Sequence, residues 1–162
     1  MDFPSNDDSC RERGSEELPV QLRPFLPSDL DRIMEIEGAS FKAEAYSRSQ
    51  FEKLYRDQAD GFYVAEIFGE TVGYVIGSIS GDVGDLDSLA VDRRFRDLGI
   101  GRRLVEFILE RFREKGIQTC FLRVRTTNQS GVRFYKGMGF QIVKTVEALE
   151  PGGQAYLMKM NL

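Results

Sequence analysis

Apolar and polar positions follow two different periods along the chain from residue 20 onward, and each period predicts a type of element. Apolar residues three and four positions apart predict four helices. The first helix carries Leu30, Ile33, Met34, Ile36 and Phe41, and the second carries Phe51, Leu54 and Tyr55. The third and fourth helices span Ile100–Lys115 and Gln129–Met138. Alternating positions and short apolar runs predict seven strands. They are Val20–Arg23, Phe62–Phe68, Val72–Ser80, Asp85–Val91, Thr119–Val124, Phe140–Val146 and Ala155–Met160.

Capping residues mark where the helices begin and end. Ser28 or Asp29 can cap the first helix and Ser47 the second, because short polar side chains accept hydrogen bonds from the first N–H groups of a helix. Gly116 and Gly139 follow the last two helices, as glycine commonly does at helix ends. Strands and helices in this order predict one α/β domain over residues 19–162, with a mixed sheet and helices packed on it.

The composition excludes several classes of site. The chain has 162 residues, of which 41% are hydrophobic and 30% charged, as in globular domains. It contains no histidine, which excludes His-based triads, His general bases and His metal ligands, and we expect no metal site. Two cysteines rule out a disulfide framework and favour a cytoplasmic location. No apolar stretch approaches the roughly 20 residues of a membrane-spanning helix, so we expect no membrane partner.

Charge is unevenly distributed. Residues 1–18 carry six acidic and two basic residues, which predicts a disordered acidic tail. Residues 93–136 carry twelve basic and four acidic residues, which predicts a local anionic partner or, alternatively, a solvated helix face. The net charge of −4 argues against nucleic acid as that partner, although an RNA- or nucleotide-binding domain is a third alternative.

A glycine-containing turn joins the strand that ends at Val91 to the helix that begins at Ile100. Gly99 and Gly101 let the backbone turn tightly and approach a ligand, and the first N–H groups of a helix have no partner within it. Together with the helix dipole they form an anion site, to which Arg96, Arg102 and Arg103 add positive charge. No Gly-Lys-Ser/Thr closes the turn, so it is not a P-loop, and it lacks the third glycine of a dinucleotide fingerprint. The alternative is an ordinary glycine-rich loop with incidental arginines.

Two motifs resemble those of one family. The run Arg96-x-x-Gly99-x-Gly101 after Leu89-Ala90-Val91 is similar to the acetyl-CoA motif of the GNAT superfamily of N-acetyltransferases. The segment from Asn128 through Tyr135 to Gly139-Phe140 resembles that family's second motif. The likeness covers about residues 20–161 and is nearest to ribosomal-protein N-terminal acetyltransferases. It implies a single-domain GNAT fold: a mixed, mostly antiparallel sheet with splayed central strands and helices on both faces.

The resemblance also implies a cofactor site for acetyl-CoA, the acyl donor. The turn would hold the pyrophosphate, and the strand end would pair with the pantetheine arm in the gap between the splayed strands. The implied cofactor-binding residues are Leu89, Ala90, Val91, Arg96, Leu98, Gly99, Ile100, Gly101, Arg102 and Asn128. Asn128 can equally cap the helix Gln129–Met138, and the two roles are compatible.

The implied reaction is direct acetyl transfer to a primary amine, of a small molecule or a protein N-terminus. Tyr135 would be the general acid for the leaving thiolate; its alternative is a core tyrosine. Asp87 is the first candidate for the base, acting through an ordered water, with Asp85 and Glu66 as alternatives and Ser88 as a further water contact. Strand alternation predicts Asp85, Asp87, Leu89 and Val91 on one face.

The chain departs from the nearest subfamily in two places, and both departures argue against a peptide N-terminus as the acceptor. The paired tyrosines that follow the Gly-Phe strand in those enzymes are absent from Thr145–Gln154, and position 123 differs. Those enzymes usually carry a glutamate, their proposed base, where this chain has Arg123. An arginine beside the acceptor channel suits a substrate with a carboxylate or phosphate. A non-catalytic CoA-binding regulatory module is therefore the alternative to an enzyme. Family members are often monomers or homodimers, and we expect one of these states.

Overall fold

Seven strands form one sheet in the computed structural model, which describes residues 19–41, 45–57, 61–148 and 152–162. The predicted acidic tail over residues 1–18 lies outside the described residues. The strands are β1 Val20–Pro24, β2 Phe62–Ile67, β3 Glu70–Ser80, β4 Val83–Val91, β5 Thr119–Arg125, β6 Gln141–Glu147 and β7 Gln154–Asn161. The helices are α1 Leu30–Phe41, α2 Arg48–Asp57, α3 Ile100–Glu114 and α4 Gln129–Met138. All eleven predicted elements are confirmed, with shifts of one or two residues at most ends.

The strand order in the sheet is β1-β2-β3-β4-β5-β7-β6. Neighbouring strands are antiparallel except β4 and β5, which run parallel. A parallel pair needs a crossover connection, and α3 supplies it. The predicted mixed, mostly antiparallel sheet is therefore confirmed, and its one parallel pair lies at its centre.

Helices cover both faces of the sheet, each over its own apolar core. Helix α3 buries Ile100, Leu104, Ile108 and Phe112 against β3, β4 and β5, and α4 packs partly buried apolar side chains on the same core. Helices α1 and α2 bury Ile33, Ile36 and Phe51 on the opposite face, against β2 and β3. The two cores hold the sheet rigidly, so the points where strands separate are fixed in space.

The helix ends follow the capping residues. Ser47 Oγ accepts the N–H of Gln50 at 3.3 Å, and Gln50 Oε1 accepts the N–H of Ser47 at 2.7 Å, which is a reciprocal capping box. Gly116 and Gly139 follow α3 and α4 with φ of 77° and 108°, a conformation that glycine adopts without strain. The carboxylate of Asp29 accepts the N–H of Leu26 at 2.8 Å and so fixes the turn before α1. None of the helices in the described ranges combines the length and apolar character needed to cross a membrane.

Candidate active site

The sheet opens between β4 and β5. Their parallel pairing joins Val83–Leu86 to Thr119–Leu122 and stops at Leu86 and Leu122. Beyond that point β4 stays paired with β3 as far as Val91, while β5 stays paired with β7 as far as Arg125. The two central strands therefore splay, as the family resemblance implies, and a gap forms at the carboxyl end of both.

A β-bulge lies where the opening begins. Ile76 of β3 pairs with Ser88 and Gly77 pairs with Leu86, which leaves Asp87 as the extra residue on β4. The predicted single face for Asp85, Asp87, Leu89 and Val91 is therefore wrong. Leu89 and Val91 pack on the α3 core, whereas Asp85 precedes the bulge and lies on the other side from the buried Leu86. The bulge gives Asp87 a position that regular alternation would not.

Backbone groups of β4 face the opening. The N–H of Asp92 donates to the carbonyl of Val72 on β3 at 2.7 Å. Successive residues of a strand direct these groups alternately to its two sides. Ala90 therefore faces β3 as Asp92 does, while Leu89 and Val91 direct their N–H and C=O groups at the gap. Of the three strand-end residues predicted to meet the cofactor, these two present their backbone there.

The turn after β4 leads into the N-terminus of α3. Gly99 has φ of 81° and precedes the helix without a side-chain cap. The first bond within the helix joins the N–H of Arg103 to the carbonyl of Gly99 at 3.1 Å. The N–H groups of Ile100, Gly101 and Arg102 thus have no acceptor within the helix, and with the helix dipole they form an anion site.

This anion site lies beside the opening. A Cβ built on Gly101 would be 3.6 Å from the Phe134 ring of α4 and 3.8 Å from the Val91 side chain. The end of β4, the start of α3 and the middle of α4 therefore converge. Leu98, which is half exposed, forms the outer part of the turn. The structure brings the predicted cofactor residues to one end of the gap, and their contacts with a cofactor stay predictions.

The three arginines of the turn do not act together as the sequence suggests. Arg96 donates through Nε to the Val91 carbonyl at 3.1 Å and through a terminal nitrogen to Ser40 Oγ at 3.0 Å. Arg102 pairs with Glu106 one turn further along α3. Arg103 extends toward β1, where it donates to the Val20 carbonyl at 3.5 Å. Arg96 is the one of these three that reaches the strand end at the gap.

Asn128 caps α4. Its Oδ1 accepts the N–H of Gly131 at 3.0 Å and the hydroxyl of Ser130 at 3.2 Å. A Cβ on Gly131 would lie 2.6 Å from the Asn128 amide nitrogen, so a larger residue at this position would displace the capping side chain. The capping role is confirmed. The predicted cofactor contact would use the amide NH₂, since the oxygen is engaged in the cap.

Tyr135 of α4 lies on the α3 side of the sheet. Its ring meets those of Phe134 and Phe140 edge-on, with centroids 5.1 and 5.8 Å away. Loss of hydration, reinforced by the nearby Cys120 thiol, raises the pKa of Tyr135 well above its usual value. The phenol therefore stays protonated at neutral pH and can donate a proton or a hydrogen bond.

Two carboxylates lie on β4 at the opening. The side chain of Asp87 is accessible, yet the surrounding protein removes enough hydration to raise its pKa to about 6. A hydrogen bond from Ser78 opposes this rise. Burial also raises the pKa of Asp85, and the positive charge of Arg123 opposes that rise. Asp87 is therefore the carboxylate whose protonation changes just below neutral pH.

The other predicted candidates are engaged elsewhere. Glu66 lies on β2, two strands away from β4, and accepts a hydrogen bond from Arg23 of β1 at 2.7 Å. Ser88 shares a hydrogen bond of 3.1 Å with the Tyr74 hydroxyl in the α1–α2 core. Neither contact directs these side chains into the gap.

Sequence reasoning missed Glu37 on α1. This carboxyl is 2% exposed; its Oε1 accepts the N–H of Tyr46 at 3.1 Å, and its Oε2 has no partner among the described residues. Burial raises the pKa of Glu37 to about 7. The Tyr46 hydroxyl in turn donates to the Asp87 carbonyl at 3.4 Å. A charged residue in the apolar stripe of α1 was the signal that marked this position.

Comparisons with known proteins agree with this geometry. The sequence model of the acetyltransferase (GNAT) family matches residues 30–140. An uncharacterized N-acetyltransferase of Methanocaldococcus jannaschii is 37% identical over 141 residues, which cover 85% of this chain and 88% of that protein. An N-alpha-acetyltransferase of Sulfurisphaera tokodaii is 30% identical over 156 residues, with 88% and 93% coverage. Among solved structures, Ard1 from Thermoplasma volcanium has a TM-score of 0.84 at 30% identity, covering 88% of this chain and 97% of that one.

Proposed function

The chain belongs to the acetyltransferase (GNAT) family, and from that premise we propose that it acetylates the α-amine of a polypeptide in the gap between β4 and β5. It is an acyltransferase, and acetyl-CoA is the acyl donor of this family. The non-catalytic module weighed from the sequence is therefore set aside. The observation that carries the proposal is the separation of β4 from β5 after Leu86 and Leu122. This gap is open to both faces of the sheet, which suits a donor on one face and an acceptor on the other.

The donor would lie on the α3 side of the gap. The N–H groups of Ile100, Gly101 and Arg102 suit its pyrophosphate, because a helix N-terminus stabilises an anion. The backbone groups of Leu89 and Val91 suit the amides of the pantetheine arm. Arg96 donates to the Val91 carbonyl, whose second lone pair can still accept a hydrogen bond from the arm.

The acceptor would lie on the α1–α2 side, where Asp87 is accessible. An amine attacks only when neutral, so Asp87 takes its proton through a water. An N–H group of the Leu89–Val91 segment that the arm leaves free stabilises the negative charge that develops on the carbonyl oxygen. Tyr135 then donates its proton to the leaving thiolate. A polypeptide α-amine is the acceptor we favour, because the relative from Sulfurisphaera tokodaii carries the name N-alpha-acetyltransferase.

The pH dependence of turnover tests the assignment of Asp87. A base works only when ionised, so its contribution is lost below pH 6 and complete well above it. We expect Asp87→Asn to lower kcat roughly tenfold to a hundredfold at pH 8. The ratio of wild-type to variant kcat should rise as the pH passes through about 6 and become level well above it. The ratio cancels the titration of the substrate amine, which both proteins share.

Two variants make the pH experiment decisive. Asp82→Asn, in the exposed β3–β4 turn, should leave the profile unchanged. Glu37→Gln should keep the rise of kcat near pH 6, although the pKa of Glu37 lies at about 7. A ratio for Asp87→Asn that does not change with pH would remove Asp87 as the base. If the rise of kcat with pH were lost in Glu37→Gln and kept in Asp87→Asn, Glu37 would be the general base.

An acceptor panel tests the proposed function itself. We expect free thiol to appear when the protein meets acetyl-CoA and short peptides with unblocked N-termini, and not when the same peptides carry a formylated N-terminus. Thiol release with polyamines or amino sugars, and none with peptides, would contradict a polypeptide acceptor. The family assignment would survive that result.

A further inference from the structure

The face of β5, β7 and β6 that looks away from α3 and α4 carries a group of cations. Along β5 the buried residues Cys120, Leu122 and Val124 belong to the α3 core. Because side chains alternate across a strand, Phe121 and Arg123 lie on the opposite face. Helix α1 packs on β3 and β4, so it lies beside this face and over the neighbouring strands.

The pairing register extends the group across three strands. Arg123 pairs with Leu157 of β7, and Leu157 pairs with Lys144 of β6. Phe121 pairs with Lys159, which lies diagonally next to Arg123. Directly opposed residues share a face, so these three cations surround Leu157. We call Arg123, Lys144, Lys159 and Leu157 the basic face.

Several cations elsewhere in the domain are neutralised directly. Arg23, Arg32, Arg94, Arg102, Arg111 and Arg113 each form an ion pair with a carboxylate. Within the part of the chain that the structure describes, no carboxylate lies at ion-pair distance from Arg123, Lys144 or Lys159. Asp85 acts on Arg123 only through its field. Three unneutralised cations on one surface favour an anionic partner.

We propose that the basic face binds an acidic segment of the acceptor polypeptide, directly after its N-terminal residue. The proposal rests on the proposed function, because the segment reaches this face only when its amine enters the gap. Arg123 follows Leu122, where the pairing of β4 and β5 ends, so the basic face begins at the mouth of the gap. Charge complementarity and this continuity identify the occupant.

The spacing of the cations sets which acceptor residues are read. Arg123 lies at the mouth, and Lys144 lies two strands further, or about 10 Å away at the usual spacing of strands. An extended peptide advances about 3.3 Å per residue. Arg123 therefore meets the second residue of the acceptor, and Lys144 meets the fourth or fifth. Leu157 lies between them and contacts the aliphatic part of the intervening side chains.

Two matched peptides test the proposal. They share the N-terminal residue and differ only in carrying glutamate or glutamine at positions two to five. We expect kcat/KM at low salt to be about tenfold higher for the glutamate peptide, because exposed ion pairs are individually weak and three act together. At about 1 M salt the preference should shrink to near twofold, since the Debye length falls to about 3 Å.

Variants assign the preference to this surface. The triple variant Arg123→Gln, Lys144→Gln and Lys159→Gln should process both peptides equally, at the rate of the wild type with the glutamine peptide. The control Arg113→Gln, which removes an exposed charge at the far end of α3, should keep the tenfold preference. Far-ultraviolet circular dichroism and thermal unfolding check that each variant folds. A preference that survives the triple substitution overturns the proposal.

The remaining outcomes are equally distinct. Equal kcat/KM for both peptides in the wild type overturns the basic face as a specificity surface and leaves the proposed function intact. No acetylation of either peptide overturns both. A further variant carries amides in place of the six carboxylates of residues 1–18. A preference that appears only in this variant would assign the face to the chain's own acidic segment and overturn the proposal.

Discussion

Gly99→Glu is expected to weaken the binding of acetyl-CoA by about a hundredfold, or about 3 kcal/mol. Gly99 directly precedes the three N–H groups that form the anion site, and no atom lies within 4 Å of a Cβ built there. A glutamate side chain would therefore enter open space beside the helix N-terminus. Its carboxylate would compete with the pyrophosphate for the same N–H groups. Isothermal titration calorimetry measures the change in Kd.

Gly116→Glu is the matched control for this substitution. Gly116 follows the other end of α3 with φ of 77°, close to the 81° of Gly99, and it also has open space around its Cβ. Both variants should lose about 1–2 kcal/mol of stability, because a residue with a Cβ is strained in the left-handed region. Only Gly99→Glu should lose affinity. Equal affinities in the two folded variants would contradict the placement of the pyrophosphate.

Tyr135→Phe is expected to lower kcat on the order of 10²–10³-fold, as the loss of a general acid does. The phenol is the proposed proton donor on the α3 side of the gap, and burial keeps it protonated at neutral pH. The phenyl ring preserves the contacts with Phe134 and Phe140, so the Kd of acetyl-CoA should change less than threefold. Steady-state kinetics and calorimetry on the same preparation separate the two effects.

Tyr63→Phe controls for the loss of a hydroxyl from the same core. Tyr63 is 7% exposed, and its ring packs on Phe107 of α3 at a centroid distance of 4.8 Å. Because Tyr63 takes no part in the proposed reaction, Tyr63→Phe should leave kcat unchanged. If Tyr135→Phe turned over as fast as Tyr63→Phe, Tyr135 would be a core residue and another group would protonate the thiolate.

The elements that position the site are those that the sequence encodes locally. The bounds of α4 were predicted without error, and those of α3 to within one residue, because an apolar stripe ends at a glycine in both. The glycine-containing turn before α3 was predictable for the same reason. Its glycines, its position after a strand and the helix that follows are neighbours in the chain.

Features that depend on pairing between distant segments could not be predicted in this way. The bulge at Asp87 arises from the register of β4 against β3, which alternation along one strand does not contain. The basic face depends on β6 and β7 reaching β5 in one register, since Arg123 and Lys144 are far apart in sequence. The contact of the Tyr46 hydroxyl with the Asp87 carbonyl joins residues 41 positions apart in the chain.

The most direct measurement of the central claim is mass spectrometric mapping of the acetylated product. The substrate is a peptide that carries both a free α-amine and an internal lysine, incubated with acetyl-CoA and the enzyme. The account predicts one acetyl group, located on the α-amine, and its formation slowed on the order of 10²–10³-fold by Tyr135→Phe. Acetyl groups on the lysine side chain alone, or a peptide left unmodified while a small amine is acetylated, would contradict it.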